Sequence, residues 1–121
     1  MNLRWEPWRS FPNPLHGDYV TGPFSSGVSW IRHRGGECVH IGASQHVVAW
    51  LTSLLPSPLG EETRENKALR EYVLANSGDL EYRTAACLSK QGASILAARL
   101  FAENPCRFDV VTAREQGPPA E

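Results

Sequence analysis

The side chains best suited to chemistry lie on two short β-rich runs that flank Gly35-Gly36. Two glycines supply the positive φ angles of a two-residue hairpin turn, which would place Ile31 opposite His40 and His33 opposite Cys38. Because side chains alternate between the faces of a strand, the polar groups collect on one side. This predicted polar face holds Ser29, Ile31, His33, Cys38 and His40, and the opposite face, predicted to be core, holds Val28, Trp30, Val39 and Ile41. We therefore expect function to depend on the polar face.

Two kinds of catalysis are open to these residues. His40 is a candidate acid–base group because histidine ionises near neutral pH, and Ser29 or Cys38 would be its partner. Cys38 beside His33 is also a candidate activated thiolate. A metal site is disfavoured because ligands on paired strands lack any recognised spacing, and no metal or other cofactor is expected. The simplest alternative for each residue is a buried side chain with a packing role.

Composition limits the class of protein. A chain of 121 residues with 41% hydrophobic residues is expected to form one globular domain. Three cysteines without paired spacing suggest a reducing compartment, and with no apolar run of membrane-spanning length and no signal-peptide pattern we expect a cytoplasmic protein. The net charge of −1 lowers the expectation of nucleic-acid binding.

The rest of the chain supplies the elements that position the polar face. Residues 1–26 form an extended arm rich in aromatic residues and proline, expected to pack on the domain rather than to offer Trp5 and Trp8 to a ligand. The spacing of apolar residues predicts a helix over 45–55 capped by Ser44, another over 61–76, and a last one after Ser89. Alternation predicts a strand over 79–87, and a short strand is expected at 107–111.

The predicted fold is therefore α+β. A small three-stranded antiparallel sheet is flanked by helices in the order ββααβα over residues 27–111, and a disordered tail is expected over 112–121.

The hairpin resembles that of the GIY-YIG nuclease family. Where that family has Gly-Ile-Tyr in the first strand and Tyr-Ile-Gly in the second, this chain has Gly27-Val28-Ser29 and His40-Ile41-Gly42. Other segments are similar to a group of small bacterial GIY-YIG-like proteins, so that the resemblance covers residues 5–108. Those segments are 23–24, 53–60, 63–64 with Asn66, Arg70 with 72–74, and 81–84 with Cys87.

The resemblance also implies where catalysis would occur, and those positions are changed. A GIY-YIG nuclease uses tyrosines on the hairpin, an arginine on the first helix to stabilise the phosphate, and a glutamate on a later helix to hold one divalent metal ion. Here Ser29 and His40 replace the tyrosines and Trp50 stands at the arginine position. No aspartate or glutamate occurs from Ala86 to Ala102. Metal-dependent nuclease activity is not expected.

Three hypotheses remain for the cleft between the hairpin and the first helix. The main hypothesis is a degenerate GIY-YIG domain that binds a small-molecule ligand or a protein partner there. The first alternative is an enzyme with repurposed chemistry that uses His40. The second is a residual nuclease or nucleic-acid-binding protein whose phosphate cations are Arg32, Arg64, Arg70 or Arg83. The residues expected around the cleft are His33, Gly42, His46, Trp50, Arg64 and Arg70.

Overall fold

The fold is an antiparallel sheet with helices on both faces. The structure is a computed structural model that describes residues 4–108, so the predicted tail at 112–121 and the end of the predicted strand at 107–111 lie outside the described residues. The elements are β1 (Arg9–Ser10), β2 (Gly27–His33), β3 (Cys38–Ser44), α1 (Val47–Thr52), α2 (Lys67–Asn76), β4 (Leu80–Ala86) and α3 (Lys90–Glu103), with 3-10 turns at Pro14–His16 and Ser77–Asp79. The predicted α+β class and the succession from β2 to α3 are confirmed.

The sheet has four strands rather than the predicted three, in the order β1-β4-β2-β3. The additional strand comes from the N-terminal arm, where Arg9 and Ser10 pair with Tyr82 and Glu81 of β4. Nearer the N-terminus, Trp5 forms a bridge to Ala85. Two paired residues among prolines are too short a run to show any alternation, so sequence patterning missed this strand.

Both faces of the sheet are buried, and this corrects the prediction that one face of the hairpin is core and the other carries the polar chemistry. The first core cluster lies under α1 and α2 and contains Ile31, Val39, Val47, Leu51, Leu69, Val73, Tyr82 and Phe108 among others. The second cluster lies under α3 and contains Val28, Cys38, Ile41, Ala93, Ala97 and Cys106. The alternation of β2 and β3 therefore separates two buried sides rather than core from solvent.

The hairpin register follows the prediction beyond the turn and departs from it near the turn. Ile31 lies opposite His40 as predicted, but Arg32 rather than His33 lies opposite Cys38, with a register shift between Ile31 and Arg32. The loop has three residues, because His33 N–H donates to the Glu37 carbonyl and Gly36 alone of the pair has a positive φ, of 106°. A three-residue loop offsets the strands by one residue, and the bulge restores the register.

The bulge also exchanges the predicted sides of two residues. Cys38 joins Ile41 in the second cluster, whereas Val39 joins Ile31 in the first. Moving a strand by one residue turns its side chains to the other face of the sheet. The prediction that Cys38 shares a face with His40 is therefore wrong.

The helices begin later than predicted because side chains hold the preceding segments in loops. His46 rather than Ser44 caps α1, accepting a hydrogen bond from Ala49 N–H at 3.1 Å. The buried Asn66 amide binds Thr63 N–H at 2.7 Å and the Glu61 carbonyl at 3.1 Å, which keeps residues 61–66 out of α2. Ser89 caps α3 as predicted.

A disulfide between Cys38 and Cys106 joins the start of β3 to the segment after α3. The same segment is hydrogen-bonded to β3, with Arg107 N–H donating to the Cys38 carbonyl and Phe108 N–H to the Val39 carbonyl. The spacing of the cysteines, which suggested a reducing compartment, did not predict this pairing. Separately, no helix within residues 4–108 is long and apolar enough to cross a membrane.

Candidate functional site

A cleft of about 600 Å³ opens where the C-terminal end of β3 meets α1. The loop before α2 and the first residue of α3 complete its walls. Its lining consists of His40, Ala43, Ser44, Gln45, His46, Ala49, Trp50, Ser53, Thr63, Glu65 and Lys90. Three of the residues that sequence reasoning placed around the cleft, His40, His46 and Trp50, thus lie together on its wall.

His40 forms the floor of the cleft and is only 2% exposed. Its imidazole lies over Gly42, where any β-carbon would collide with Nε2. The ring is also 6.1 Å from the Trp50 ring, tilted by 46°. The glycine thus makes room for the histidine, whose ring packs against that of Trp50 at the bottom of the cleft.

His46 is at the mouth of the cleft. Its Nδ1 accepts the hydrogen bond of Ala49 N–H, so the neutral imidazole carries its proton on Nε2. The Phe24 ring packs edge-on against it at 5.9 Å. His46 is exposed and therefore offers a hydrogen-bond donor to a molecule in the cleft.

Opposite charges stand at the rim. Glu65 precedes α2 and Lys90 begins α3, and both are exposed. Sequence reasoning missed both, because Lys90 is 40 positions from Trp50 in the chain and only the packing of α3 on β3 brings it to the cleft. The neighbouring Arg64, which was predicted, is exposed but does not line the cleft.

Ser29 does not reach the cleft. It lies opposite Gly42 on one side and Thr84 on the other, and it is only 1% exposed. Neither Ser29 Oγ nor Thr84 Oγ1 has a hydrogen-bond partner among the described residues. A hydroxyl without access to solvent cannot attack a ligand in the cleft, so the predicted catalytic pairing of Ser29 with His40 is not supported.

Cys38 is equally unsuited to catalysis because its sulfur is bonded to Cys106 and the pair lies in the second core cluster. The free thiol of the chain is Cys87, at the end of β4. Burial raises the pKa of this thiol, which reduces its thiolate fraction at neutral pH.

Two further predicted residues lie away from the cleft. His33 is at the turn end of the hairpin, bonded to Asp79 and Tyr72. Arg70 is 9% exposed and donates from Nε to the Ser53 carbonyl at 3.1 Å and from Nη2 to the Leu55 carbonyl at 2.8 Å. Its guanidinium therefore supports the chain after α1, a role in which it is not available to a phosphate.

Arg32 and Arg83 are engaged in a stack with three tryptophans on the α3 side of the sheet. The Arg83 guanidinium lies 4.4 Å, 4.7 Å and 4.9 Å from the ring centres of Trp5, Trp8 and Trp30. Arg32 lies 3.7 Å from the Trp8 ring and 2.5 Å from the Glu81 carboxylate. Burial, together with the charge of Arg32, lowers the pKa of Arg83. Trp5 and Trp8 therefore pack against the domain.

Within residues 4–108 no three His, Cys, Asp or Glu side chains are placed to hold a metal ion together. Comparisons of the chain with protein-family models, curated proteins and solved structures find no match.

Proposed function

We propose that this chain is a GIY-YIG-like domain without nuclease chemistry that binds a small ligand in the cleft between β3 and α1. The observation that carries the proposal is the composition of the cleft: the Trp50 ring, packed on the buried His40, beneath a rim with one cation, Lys90, and one anion, Glu65. A volume of about 600 Å³ is in the range of small-molecule sites, which combine apolar walls with a few orienting polar groups.

The lining favours a particular class of ligand. A planar or aromatic group would lie against Trp50, and the Nε2–H of His46 would donate to an acceptor on the ligand. Lys90 would bind a carboxylate, and Glu65 would bind an ammonium group. An aromatic amino acid or a similar zwitterion satisfies all four requirements, because its carboxylate can accept from both His46 and Lys90, so this is the class we favour.

The order of elements supports the GIY-YIG part of the proposal, since the hairpin, two helices, strand and helix follow one another as in that family's pattern. The substitutions support the loss of cleavage. Trp50 stands where the family has its phosphate-binding arginine, and α3 carries no acidic residue before Glu103. Without that cation and that metal ligand, charge developing at a phosphorus would have no stabilising partner.

Direct binding measurements test the proposal. Titration of the protein with aromatic amino acids, observed by NMR and by calorimetry, should show saturable binding with shifts at His46 and Trp50. Trp50→Ala and Lys90→Ala should each weaken binding about 5- to 30-fold, since each removes an interaction of roughly 1–2 kcal/mol.

Lys67→Ala is the matched control for Lys90→Ala, because Lys67 is also the exposed first residue of a helix but lies outside the cleft. It should bind like the wild type. Absence of binding by this ligand class, or binding unchanged by both cleft substitutions, would refute the proposal.

A further inference from the structure

A second polar site lies at the turn end of the hairpin, where Asp79, His33 and Tyr72 form a hydrogen-bonded row. His33 Nδ1 is 2.7 Å from Asp79 Oδ2, and His33 Nε2 is 2.6 Å from the Tyr72 hydroxyl oxygen. The three residues come from the 3-10 turn before β4, the end of β2, and α2. None of them lines the cleft described above.

The donor and acceptor of each hydrogen bond in this row can be assigned. An ionised carboxylate only accepts hydrogen bonds, so Asp79 holds the imidazole proton on Nδ1 and leaves Nε2 as an acceptor. The Tyr72 hydroxyl then donates to Nε2. A hydroxyl bonded to a base that a third group orients is the arrangement of an activated nucleophile.

We propose that Tyr72 is a nucleophile that accepts an acyl group from small activated esters, with His33 as its general base and Asp79 as a positioning residue. This activity is independent of any ligand bound in the cleft. It assigns this chain an acyl-transfer activity at a separate site.

The reaction balances with the groups present. The Tyr72 oxygen attacks the ester carbonyl carbon, and its proton passes to His33 Nε2. The ester C–O bond breaks, the departing alkoxide or phenoxide takes that proton, and the product is an acyl ester of Tyr72. Attack of a water molecule, deprotonated by His33, then releases the carboxylic acid and restores Tyr72.

Two side chains pack on the Tyr72 ring and hold it in place. The Arg107 guanidinium lies 4.6 Å from the centre of the Tyr72 ring, and the Phe108 ring packs at 5.5 Å and fixes its orientation. Tyr72 is partly exposed. The side chain of Asp79 is 64% exposed and that of His33 14% exposed, so the row reaches the protein surface.

Acylation by 4-nitrophenyl acetate, mapped by mass spectrometry of proteolytic fragments at early times, tests the proposal. Tyr19 is the internal control, because it is 76% exposed and simple accessibility favours it. General-base assistance should make acetylation of Tyr72 at least ~10-fold faster than that of Tyr19. Equal or slower acetylation of Tyr72 would overturn the proposal.

Variants separate activation from packing. His33→Gln and Asp79→Asn should lower the Tyr72 rate toward that of Tyr19, and Asp79→Glu, which keeps a carboxylate, should recover part of it. His16→Gln is the matched control, since His16 is exposed and away from the row, and it should leave the rate unchanged. Thermal unfolding of each variant shows whether it is folded.

If His33→Gln fails to fold, the exposed Asp79 provides the decisive variant. If Tyr72 is acetylated at the wild-type rate in a folded His33→Gln or Asp79→Asn variant, the row has only a structural role and the proposal is wrong.

Discussion

The imidazole of His40 occupies the space above Gly42, two residues further along the same strand and on the same face. The requirement for glycine at this position is steric rather than conformational, because its φ is not positive and the obstacle to a side chain is the ring. The floor of the cleft thus depends on a residue that has no side chain of its own.

Gly42→Ala should therefore displace His40 and disturb the cleft. We expect the free energy of unfolding to fall by about 1–3 kcal/mol, as for an overpacked core, and ligand binding to weaken with it. Urea denaturation measures the first effect. Gly35→Ala is the control, since nothing lies within 4 Å of a β-carbon there and φ is not positive. Equal stability of the two variants would contradict this account of Gly42.

Arg70→Ala should destabilise the fold by about 2–4 kcal/mol, because it leaves the Ser53 and Leu55 carbonyls without their charged donor. The exposed Arg64 provides a matched comparison, and Arg64→Ala should change stability by no more than about 0.5 kcal/mol. Chemical denaturation of both variants gives the difference. A stable Arg70→Ala protein that loses affinity for nucleic acid would instead support a phosphate-binding role.

The Cys38–Cys106 disulfide closes a loop with a sequence separation of 68 residues. On the chain-entropy model a loop of this length contributes about 4 kcal/mol, so Cys106→Ser, or reduction, should lower the free energy of unfolding by that order. Denaturation with and without dithiothreitol measures the effect. Cys87→Ser should respond to reductant as the wild type does, and insensitivity of the wild type would contradict the pairing.

Cys87 should react slowly with iodoacetamide at pH 8. Burial raises the pKa of the thiol, so a smaller fraction is thiolate at a given pH and the rate falls in proportion. Mass spectrometry would follow alkylation of the folded protein and of the same protein in urea. Equal rates in the two conditions would show that the fold does not protect this thiol.

Purified protein should not cleave DNA or RNA in the presence of Mg²⁺ or Mn²⁺. Its affinity for duplex DNA should be no tighter than the ~10⁻⁴–10⁻⁶ M of non-specific binding, because the net charge is −1 and two candidate arginines, Arg32 and Arg83, are stacked on tryptophans. Gel assays and fluorescence anisotropy check both expectations. Metal-dependent cleavage that is lost in His40→Ala would revive the nuclease hypothesis.

Elements with a periodic pattern of apolar residues were predicted correctly from the sequence. The periodicities gave the succession from β2 to α3, and the glycine pair gave the pairing of Ile31 with His40. His40, His46 and Trp50 meet because only two residues, Gln45 and His46, separate the end of β3 from the start of α1.

Features that depend on the conformation of one residue, or on contacts between distant parts of the chain, could not be predicted from the sequence. The glycine pair is compatible with a two-residue loop and with the three-residue loop observed, in which only Gly36 has a positive φ. The longer loop places Cys38 on the face of the sheet that packs under α3. Nothing local in the sequence pairs Cys38 with Cys106 or brings Lys90 to the cleft. These depend on how α3 packs across β3.

The pairing of the N-terminal arm with β4 has a consequence for the behaviour of the protein in concentrated solution. Through Trp5, Glu6, Arg9 and Ser10 the arm occupies the outer hydrogen-bonding side of β4. Without it, β4 would be an open edge strand whose unpaired N–H and C=O groups could template a second chain. The arm thus prevents β4 from pairing with a strand of a second molecule. Proteolysis or displacement of these few residues would expose that edge and promote aggregation.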